Sequence, residues 1–416
     1  MRILHVNKFL YRRGGAESYM LDVAALQEAD GHEVAFFAMS HPENRRTRYA
    51  RWFPPYVEFE PPPPGVTAKV RGTARLMWSE SARRGMEAVL EDFRPEVVHL
   101  HNVYHQLSPS VLRPVHRRRI AAVMTLHDYK LACPTYRFLD HGRICEACLP
   151  RRFWEPIVKR CNGGSLGASA VNAVEMTLHT FGRAYAPVGV FSCPSRFLLE
   201  KMRQGKVFPE RLRHLPNFVD AAAVEPTAAP GGGAVYAGRL SHEKGVDVLV
   251  EAIAATPGIR LDVAGDGPAR ADLEALASAR GVADRIAFHG RLPTDRLQDL
   301  LRGSSVAVLP SRWYENMPLA VLEAFAAGLP VVGTALGGIP ELIEPNVDGE
   351  IVPPNDPLAL GASLAALLGD PARTFEMGRS ARAKAERTYA PTDHAERLAG
   401  LYREARLRVG DEMGPR

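Results

Sequence analysis

Apolar positions along this chain come in two rhythms that alternate. Short, nearly unbroken apolar runs at Arg2–Asn7, Glu33–Ala38, Val97–His101, Ala121–Leu126 and Val188–Cys193 read as strands covered on both faces. Between them, stretches such as Glu17–Ala29 and Arg83–Asp92 repeat their apolar residues at helical spacing. Strands alternating with helices predict a parallel sheet flanked by helices, an α/β fold. The segment Arg45–Thr67 breaks the rhythm. It is rich in Arg and Pro, and Pro61-Pro62-Pro63-Pro64 cannot continue a helix, so a loop is expected.

The rhythm then pauses and restarts. Glu225-Pro226-Thr227-Ala228-Ala229-Pro230-Gly231-Gly232-Gly233 has the composition of a linker. Beyond it, Ala234–Gly238, Arg260–Ala264, Ile286–His289, Val306–Pro310 and Pro330–Gly333 read as a second set of short strands, and Pro371–Arg408 as helical. A chain of 416 residues suits two cores better than one. The expected division is a first Rossmann-like domain over 1–216 with a Cys-rich insertion at 130–165, a linker over 217–233, a second Rossmann-like domain over 234–385, and a helical tail over 386–416.

Composition is that of an ordinary globular protein, 46% hydrophobic and 24% charged. No apolar run nears the ~20 residues that span a bilayer. The opening Met1–Asn7 reads as a strand rather than a signal peptide, so a cytoplasmic location is expected. Charge adds one feature. Through Asp220 there are 32 Lys/Arg against 21 Asp/Glu, and beyond it 20 against 26. A basic first half can draw an anionic acceptor or the inner face of an anionic membrane, or can simply be a solvated Arg-rich surface.

Several strings at strand ends could carry chemistry. Gly14-Gly15 opens a helix after the first strand, leaving backbone N–H groups at the positive end of the helix dipole for a phosphate; a plain turn is the alternative. Gly238-Arg239-Leu240-Ser241-His242-Glu243-Lys244-Gly245 follows the first strand of the second domain. Arg239 and Lys244 there suit a diphosphate at the carboxyl end of a parallel strand. Glu315-Asn316-Met317-Pro318-Leu319 leads into a helix containing Glu323. Eight helical residues would part the two carboxylates by about 12 Å, too far to share a proton but right for two contacts along one extended ligand. N–H groups of Met317 to Leu319 would face the phosphates. His127 closes a strand, where a structural and a site role weigh equally. Gly337–Glu341 forms a further glycine turn.

Taken in order and spacing, these strings resemble the retaining glycosyltransferase family 4, with the GT-B fold of two Rossmann-like domains facing a central cleft. The resemblance covers nearly the whole chain and rests most on Gly238–Gly245 and on the pair Glu315 and Glu323. It implies a donor substrate that is a nucleotide-diphosphate sugar. Arg239, Lys244, Gly14, Gly15 and the segment Asn316, Met317, Pro318, Leu319 would hold that donor. Glu323 would sit at the ribose, and Glu315 and His127 by the reacting centre. It also implies a last helix that returns to the first domain, and retention of anomeric configuration. No Asp-x-Asp string is present, so no catalytic metal cofactor is expected. Expected acceptors are a sugar, a lipid-linked or a small-molecule acceptor, with peripheral membrane contact and no nucleic acid. Rival readings are a sugar-nucleotide epimerase or a phosphorylase of the same fold, or a non-catalytic sugar-nucleotide binding protein.

Four of the five cysteines, Cys133, Cys145, Cys148 and Cys161, fall in the insertion as C-x11-C-x2-C-x12-C. Structural zinc bound by four thiolates, unliganded thiols, and a disulfide or redox role are the readings this spacing leaves open. Cys193, ending a strand, reads as a small buried residue.

Overall fold

The computed structural model describes residues 1–57, 66–229 and 231–411. Pro61–Pro64, read above as part of a loop, lie outside them. The chain divides into two compact units: Met1–His141, Cys145–Leu215 and Ala395–Arg416 make the first, and Gly142–Ile144 with Pro216–His394 the second.

Strands of the first unit are β1 (Arg2–Val6), β2 (Glu33–Phe37), β3 (Val97–Leu100), β4 (Ala121–Thr125), β7 (Val190–Cys193) and β8 (Leu212–His214); a hairpin of β5 (Leu139–Asp140) and β6 (Arg143–Ile144) lies in the insertion. The six form one sheet in the order β2-β1-β3-β4-β7-β8. Every pairing in it is parallel, for instance His5 beside His99 across β1 and β3. In the second unit β9 (Ala234–Ala237), β10 (Leu261–Ala264), β11 (Ile286–Gly290), β12 (Val306–Leu309), β13 (Val331–Thr334) and β14 (Gly349–Val352) form a second parallel sheet, ordered β11-β10-β9-β12-β13-β14.

The continuous apolar runs are explained by helices on both faces. Along β12, Val306 and Val308 pack into one core with Leu249, Ile253 and Leu364. Ala307 and Leu309 turn the other way, into a core with Val321, Leu322, Phe325 and Ala381. Successive strand residues point to opposite faces, so a strand buried on both sides is apolar except where a buried polar side chain finds a partner.

Each sheet has a place where chain order reverses. The second runs outward from β9 to β10 and β11, then returns to the other side of β9 with β12. The first does the same at β1 and β3. At such a point two loops leave neighbouring strands in opposite directions and open a crevice at the carboxyl edge.

Expectation and structure part at several places. Two edge strands, β8 and β14, did not stand out because polar residues interrupt them, Arg213 and His214 in one and Glu350 in the other. Arg45–Thr67, read as loop, holds a 3-10 turn at Arg48–Trp52, and a helix begins at Val66. The helical tail is two helices, Pro371–Thr388 and Pro391–Asp411. Pro391 lacks an N–H and steers Ala390 away from helical backbone, so the first helix ends before it. Residues of the segment expected as linker pack within the second unit: Val219 N–H donates to the Tyr389 carbonyl at 3.0 Å, and Thr227 N–H to that of Ala327 at 2.9 Å.

Candidate active site

In the second unit the loops after β9, β12 and β13 meet at the carboxyl edge of adjacent strands. After β9, the string Gly238–Gly245 includes a single 3-10 turn, His242–Lys244. Lys244 Nζ donates to Glu315 Oε1 at 2.7 Å, joining the loop after β9 to the loop after β12. That oxygen also accepts from Ser311 Oγ at 2.6 Å and Trp313 Nε1 at 2.8 Å. Lys244 Nζ lies 5.2 Å from the Trp313 ring centre. Burial pushes the Glu315 carboxyl up, but the Lys244 charge and these hydrogen bonds outweigh it and hold the group below its ordinary value. Glu315 is therefore a buried anion. The sequence reading put Lys244 at the diphosphate and Glu315 by the reacting centre; in the structure the two side chains form one charge pair.

Two glycines show how closely these loops are pressed. Gly245, at φ 69°, would place a Cβ 2.1 Å from the Pro310 carbonyl, and Gly337, at φ 62°, one 2.2 Å from the Glu315 carbonyl. That Glu315 carbonyl accepts from Gly338 N–H at 2.8 Å. Only glycine tolerates both the positive φ and the contact.

Arg239 is exposed and makes no ion pair among the described residues, so its guanidinium keeps its donors available. Between it and Lys244 sits a residue that sequence reading passed over. Ser241 is 6% exposed, and its hydroxyl has no partner among the described residues. A buried hydroxyl left unmatched costs free energy unless something bonds it. The only sequence signal was its place in the loop.

The Glu315–Glu323 reading needs correction. The helix runs from Leu319 to Ala326, with Pro318 as an extended N-cap. The eight-residue helical separation therefore does not apply, because Asn316, Met317 and Pro318 precede the helix. Pro318 has no N–H, so of Met317 to Leu319 only Met317 and Leu319 can donate from the backbone. Met317 is buried; Asn217 Nδ2 donates to its carbonyl at 3.2 Å. Glu323 is exposed on the helix.

In the first unit, Gly14 caps the helix Gly15–Ala29 in extended backbone (φ −163°), with no side-chain cap. Gly14 and Gly15 are exposed, so the first N–H groups of the helix are accessible. Buried Glu17 sits in the same first turn and accepts from Asn7 Nδ2 at 3.2 Å.

His127, half-buried just past β4, is the end of a ladder invisible in the sequence. Its Nε2 lies 3.0 Å from His101 Nδ1, and His101 Nε2 lies 3.1 Å from His5 Nδ1. His5 Nε2 meets Gln27 Oε1 at 2.8 Å, and Gln27 Nε2 meets the Tyr402 hydroxyl at 2.8 Å. Tyr402 meets His99 Nδ1 at 2.8 Å, and His99 Nε2 meets Thr125 Oγ1 at 2.8 Å. Burial lowers His5 to about 4 and His127 to about 3, the latter helped by the Lys8 charge, and pushes His101 well down. All three are neutral at physiological pH.

A neutral imidazole donates at one nitrogen and accepts at the other. If Gln27 presents its oxygen to His5, then His5, His101 and His127 all carry the proton on Nε2, and His127 Nδ1 is an acceptor. Flipping the amide reverses every bond and makes that Nδ1 a donor. The ladder thus has two self-consistent polarities. Nitrogens of His5, His99 and His101 lie within 4.8 Å of one another, the spacing of a metal cluster. All six are already paired, which makes the trio a hydrogen-bond junction.

Comparison with known proteins places both units. Residues 13–223 match the sequence profile described as Glycosyltransferase Family 4, and residues 232–385 that described as Glycosyl transferases group 1. Alpha-D-kanosaminyltransferase of Streptomyces kanamyceticus is 34% identical over 177 residues, 42% of this chain and 46% of that protein. D-inositol 3-phosphate glycosyltransferase of Xylanimonas cellulosilytica is 37% identical over 179 residues, 42% of each chain. The chain thus spans under half the length of these relatives. Among solved structures, sucrose-phosphate synthase from Thermosynechococcus elongatus aligns with a TM-score of 0.71 at 19% identity, over 97% of this chain and 98% of that one. HepE from Anabaena in complex with UDP aligns with a TM-score of 0.64 at 16% identity, over 96% and 99%.

Proposed function

Because the chain belongs to glycosyltransferase family 4 and has the GT-B fold, we propose that it transfers a sugar, with retention, from a nucleotide-diphosphate donor to an acceptor. The observation that carries this reading is the Lys244–Glu315 pair at the chain-reversal point of the second sheet, flanked by exposed Arg239 and the unmatched Ser241 hydroxyl. A structural neighbour binds UDP, which supports a nucleotide donor here. As the bond from the anomeric carbon to the β-phosphate breaks, negative charge gathers on the leaving diphosphate. Arg239, Lys244, the Ser241 hydroxyl and the N–H of Leu319 are donors of the kind that stabilise it. Those cations take the place of a resident divalent metal, a reading supported by the lack of an Asp-x-Asp string.

Glu315, ionised and anchored by Lys244, would accept hydrogen bonds from hydroxyls of the transferred sugar, and Glu323 from the ribose. Gly14 and Gly15 would add backbone donors to the diphosphate. His127, kept neutral, would hydrogen-bond near the reacting centre through Nδ1. Attack on the face the nucleotide leaves, with a phosphate oxygen taking the acceptor's proton, gives retention.

The acceptor side favours an anionic or lipid-linked molecule at a membrane surface. Val158 and Phe181, 75% and 68% exposed, lie on two helices that pack together, and Trp154, 56% exposed, immediately precedes the first of them. Arg151, Arg152, Arg160 and Arg183 are exposed on the same segments. Aromatic and aliphatic groups among arginines suit an anionic bilayer interface. Among the described residues, no helix is long and apolar enough to cross a membrane.

One experiment tests the reading. A thermal-shift screen of nucleotide sugars identifies the donor, which at ~100-fold its Kd stabilises by ~2.7 kcal/mol. Nucleotide release is then measured with soluble acceptors and with lipid-linked acceptors in anionic vesicles. Release that requires an acceptor is expected. Donor conversion without acceptor would make the protein an epimerase, dependence on inorganic phosphate a phosphorylase, and binding without turnover a sugar-nucleotide binding protein.

A further inference from the structure

The imidazole ladder of the first unit opens to solvent at one end only. His5, His99, His101, Thr125, Gln27 and Tyr402 are all buried, whereas His127 is half-buried just past β4. These residues come from three neighbouring strands and their loops, from the helix Gly15–Ala29 and from the last helix, Pro391–Asp411. Apolar side chains would fill the same space without the cost of taking polar groups out of water. A buried polar network persists only when each member is matched, and it then holds its members in one arrangement. What this network holds at the carboxyl edge of the sheet is a single residue, His127.

Two observations set the direction in which its protons point. His5 Nε2 lies 2.8 Å from Gln27 Oε1, closer than the imidazole–imidazole contacts at 3.1 and 3.0 Å. That length suits an imidazole N–H facing an oxygen, the smaller acceptor. Lys8, two residues past β1, lies near enough for its positive charge to act on His127. A cation there favours a lone pair, rather than an N–H, at the outer end of the ladder. The neighbouring Asp128 carboxylate is taken up by the Lys130 N–H at 2.9 Å. The proton order that results is complete. Gln27 Nε2–H donates to the Tyr402 hydroxyl, which donates to His99 Nδ1, and His99 Nε2–H donates to Thr125 Oγ1, each at 2.8 Å. Tyr402 thereby keeps the amide oxygen on the His5 side, because a hydroxyl has one proton to give and His99 takes it. His5, His101 and His127 then all carry their proton on Nε2.

We propose that Gln27 and Tyr402 are positioning residues that lock His127 as the Nε2–H tautomer, so that its Nδ1 accepts a hydrogen bond from a substrate hydroxyl. Among the described residues the only hydrogen bond of His127 is the one its Nε2 makes to His101. An acceptor nitrogen matches a hydroxyl and is mismatched to an ionised phosphate, which has only acceptor oxygens. The selection is made by a glutamine and a tyrosine that are themselves buried. That consequence rests on the glycosyl-transfer reading, which puts His127 by the reacting centre; the tautomer does not.

The test is two-bond proton–nitrogen NMR of the full chain carrying labelled histidine, with the His127 signals assigned by their loss in His127→Gln. Wild-type protein should show a protonated Nε2 and a bare Nδ1 at His127. Gln27→Met and Tyr402→Phe release the hold on the ladder, and each should shift His127 toward an average of both tautomers. Turnover should fall about tenfold in each, as expected for one misdirected hydrogen bond. A rise in donor KM would put the hydroxyl on the transferred sugar, and a rise in acceptor KM would put it on the acceptor. Should both variants fail to fold, the wild-type spectrum still decides, because an Nδ1–H tautomer or an average there overturns the proposal. An unchanged His127 spectrum in folded variants overturns it too, whatever their activity. A changed spectrum with full turnover would uphold the tautomer lock and remove His127 from the reacting centre.

Discussion

The two units concentrate polar chemistry at the same place, the carboxyl edge where strand order reverses, but by opposite physical means. In the second unit the polar centre is a charge pair: Lys244 donates to the Glu315 carboxylate, which Ser311 and Trp313 also hold. In the first it is a run of neutral imidazoles from His127 to His5, continued by Gln27, Tyr402 and His99. A charge pair presents a fixed field, which suits a charged ligand. A neutral ladder presents no net charge, but a hydrogen-bonding sense that can reverse. The difference separates a group built to grip from one built to orient.

The largest expected effect breaks the charged side. Lys244→Ala removes a proposed diphosphate donor and strands Glu315 as a buried anion without its cation. Lost transition-state contacts of this type cost ~2–4 kcal/mol, so turnover should fall about 30- to 1000-fold. The stranded carboxylate should also cost ~3 kcal/mol of stability. Glu315→Gln in the Lys244→Ala background should restore part of the stability and none of the turnover. Turnover that survives Lys244→Ala would mean the diphosphate is held elsewhere.

Acid separates the units more finely. His5 titrates at about 4 in the folded chain, against ~6.5 when unfolded. The unfolded chain takes up the proton first. Stability from keeping His5 neutral is thus complete above ~pH 6.5 and drains as pH falls toward 4, by ~3 kcal/mol in all. Around His5 stand His99, His101, Gln27 and Phe36, none of them a carboxylate. Glu315 has the opposite sense: its folded value lies below the ordinary ~4.3, so its contribution persists above that pH and is lost only below it. Near pH 5, hydrogen exchange corrected for intrinsic rates should show β1, β3 and β4 opening before β9, β12 and β13. Equal loss of protection in both units would show that His5 is not held neutral.

This contrast also explains what sequence could and could not reveal. Lys244 and Glu315 stand in strings, Gly238–Gly245 and Glu315–Glu323, whose order along the chain announces a site. The strands alternating with helices announce two parallel sheets, because a strand covered on both faces is mostly apolar. The ladder has no string. His5, His99 and His101 come from β1 and the β3 edge, Gln27 from a helix, and Tyr402 from the last helix, 303 residues beyond His99. Each taken singly is a polar residue in an apolar run, and only the β1–β3 register, with His5 beside His99, makes them neighbours. The Lys244–Glu315 contact was hidden for a related reason. Spacing placed each residue at a strand end, but the adjacency of β9 and β12 depends on the chain doubling back.

The smallest expected effect compares the glycine turns of the two units. Gly337→Ala asks a non-glycine residue to hold φ 62° with a Cβ 2.2 Å from the Glu315 carbonyl, so the Glu315 backbone must move. A loss on the order of 2 kcal/mol follows from the positive φ and the displaced Gly338 hydrogen bond. Turnover should fall with it, because the Lys244–Glu315 geometry shifts. Gly14→Ala meets nothing closer than Glu17 Oε2 at 3.6 Å, in extended backbone. Its stability should change by less than about 0.5 kcal/mol. The second substitution therefore isolates ligand contact from folding. If the Gly14-Gly15 backbone approaches the diphosphate, the added methyl should raise the donor KM by about threefold, ~0.7 kcal/mol, while Tm stays fixed. An unchanged KM would leave Gly14 as a helix start only, and donor recognition would then belong to the second unit alone.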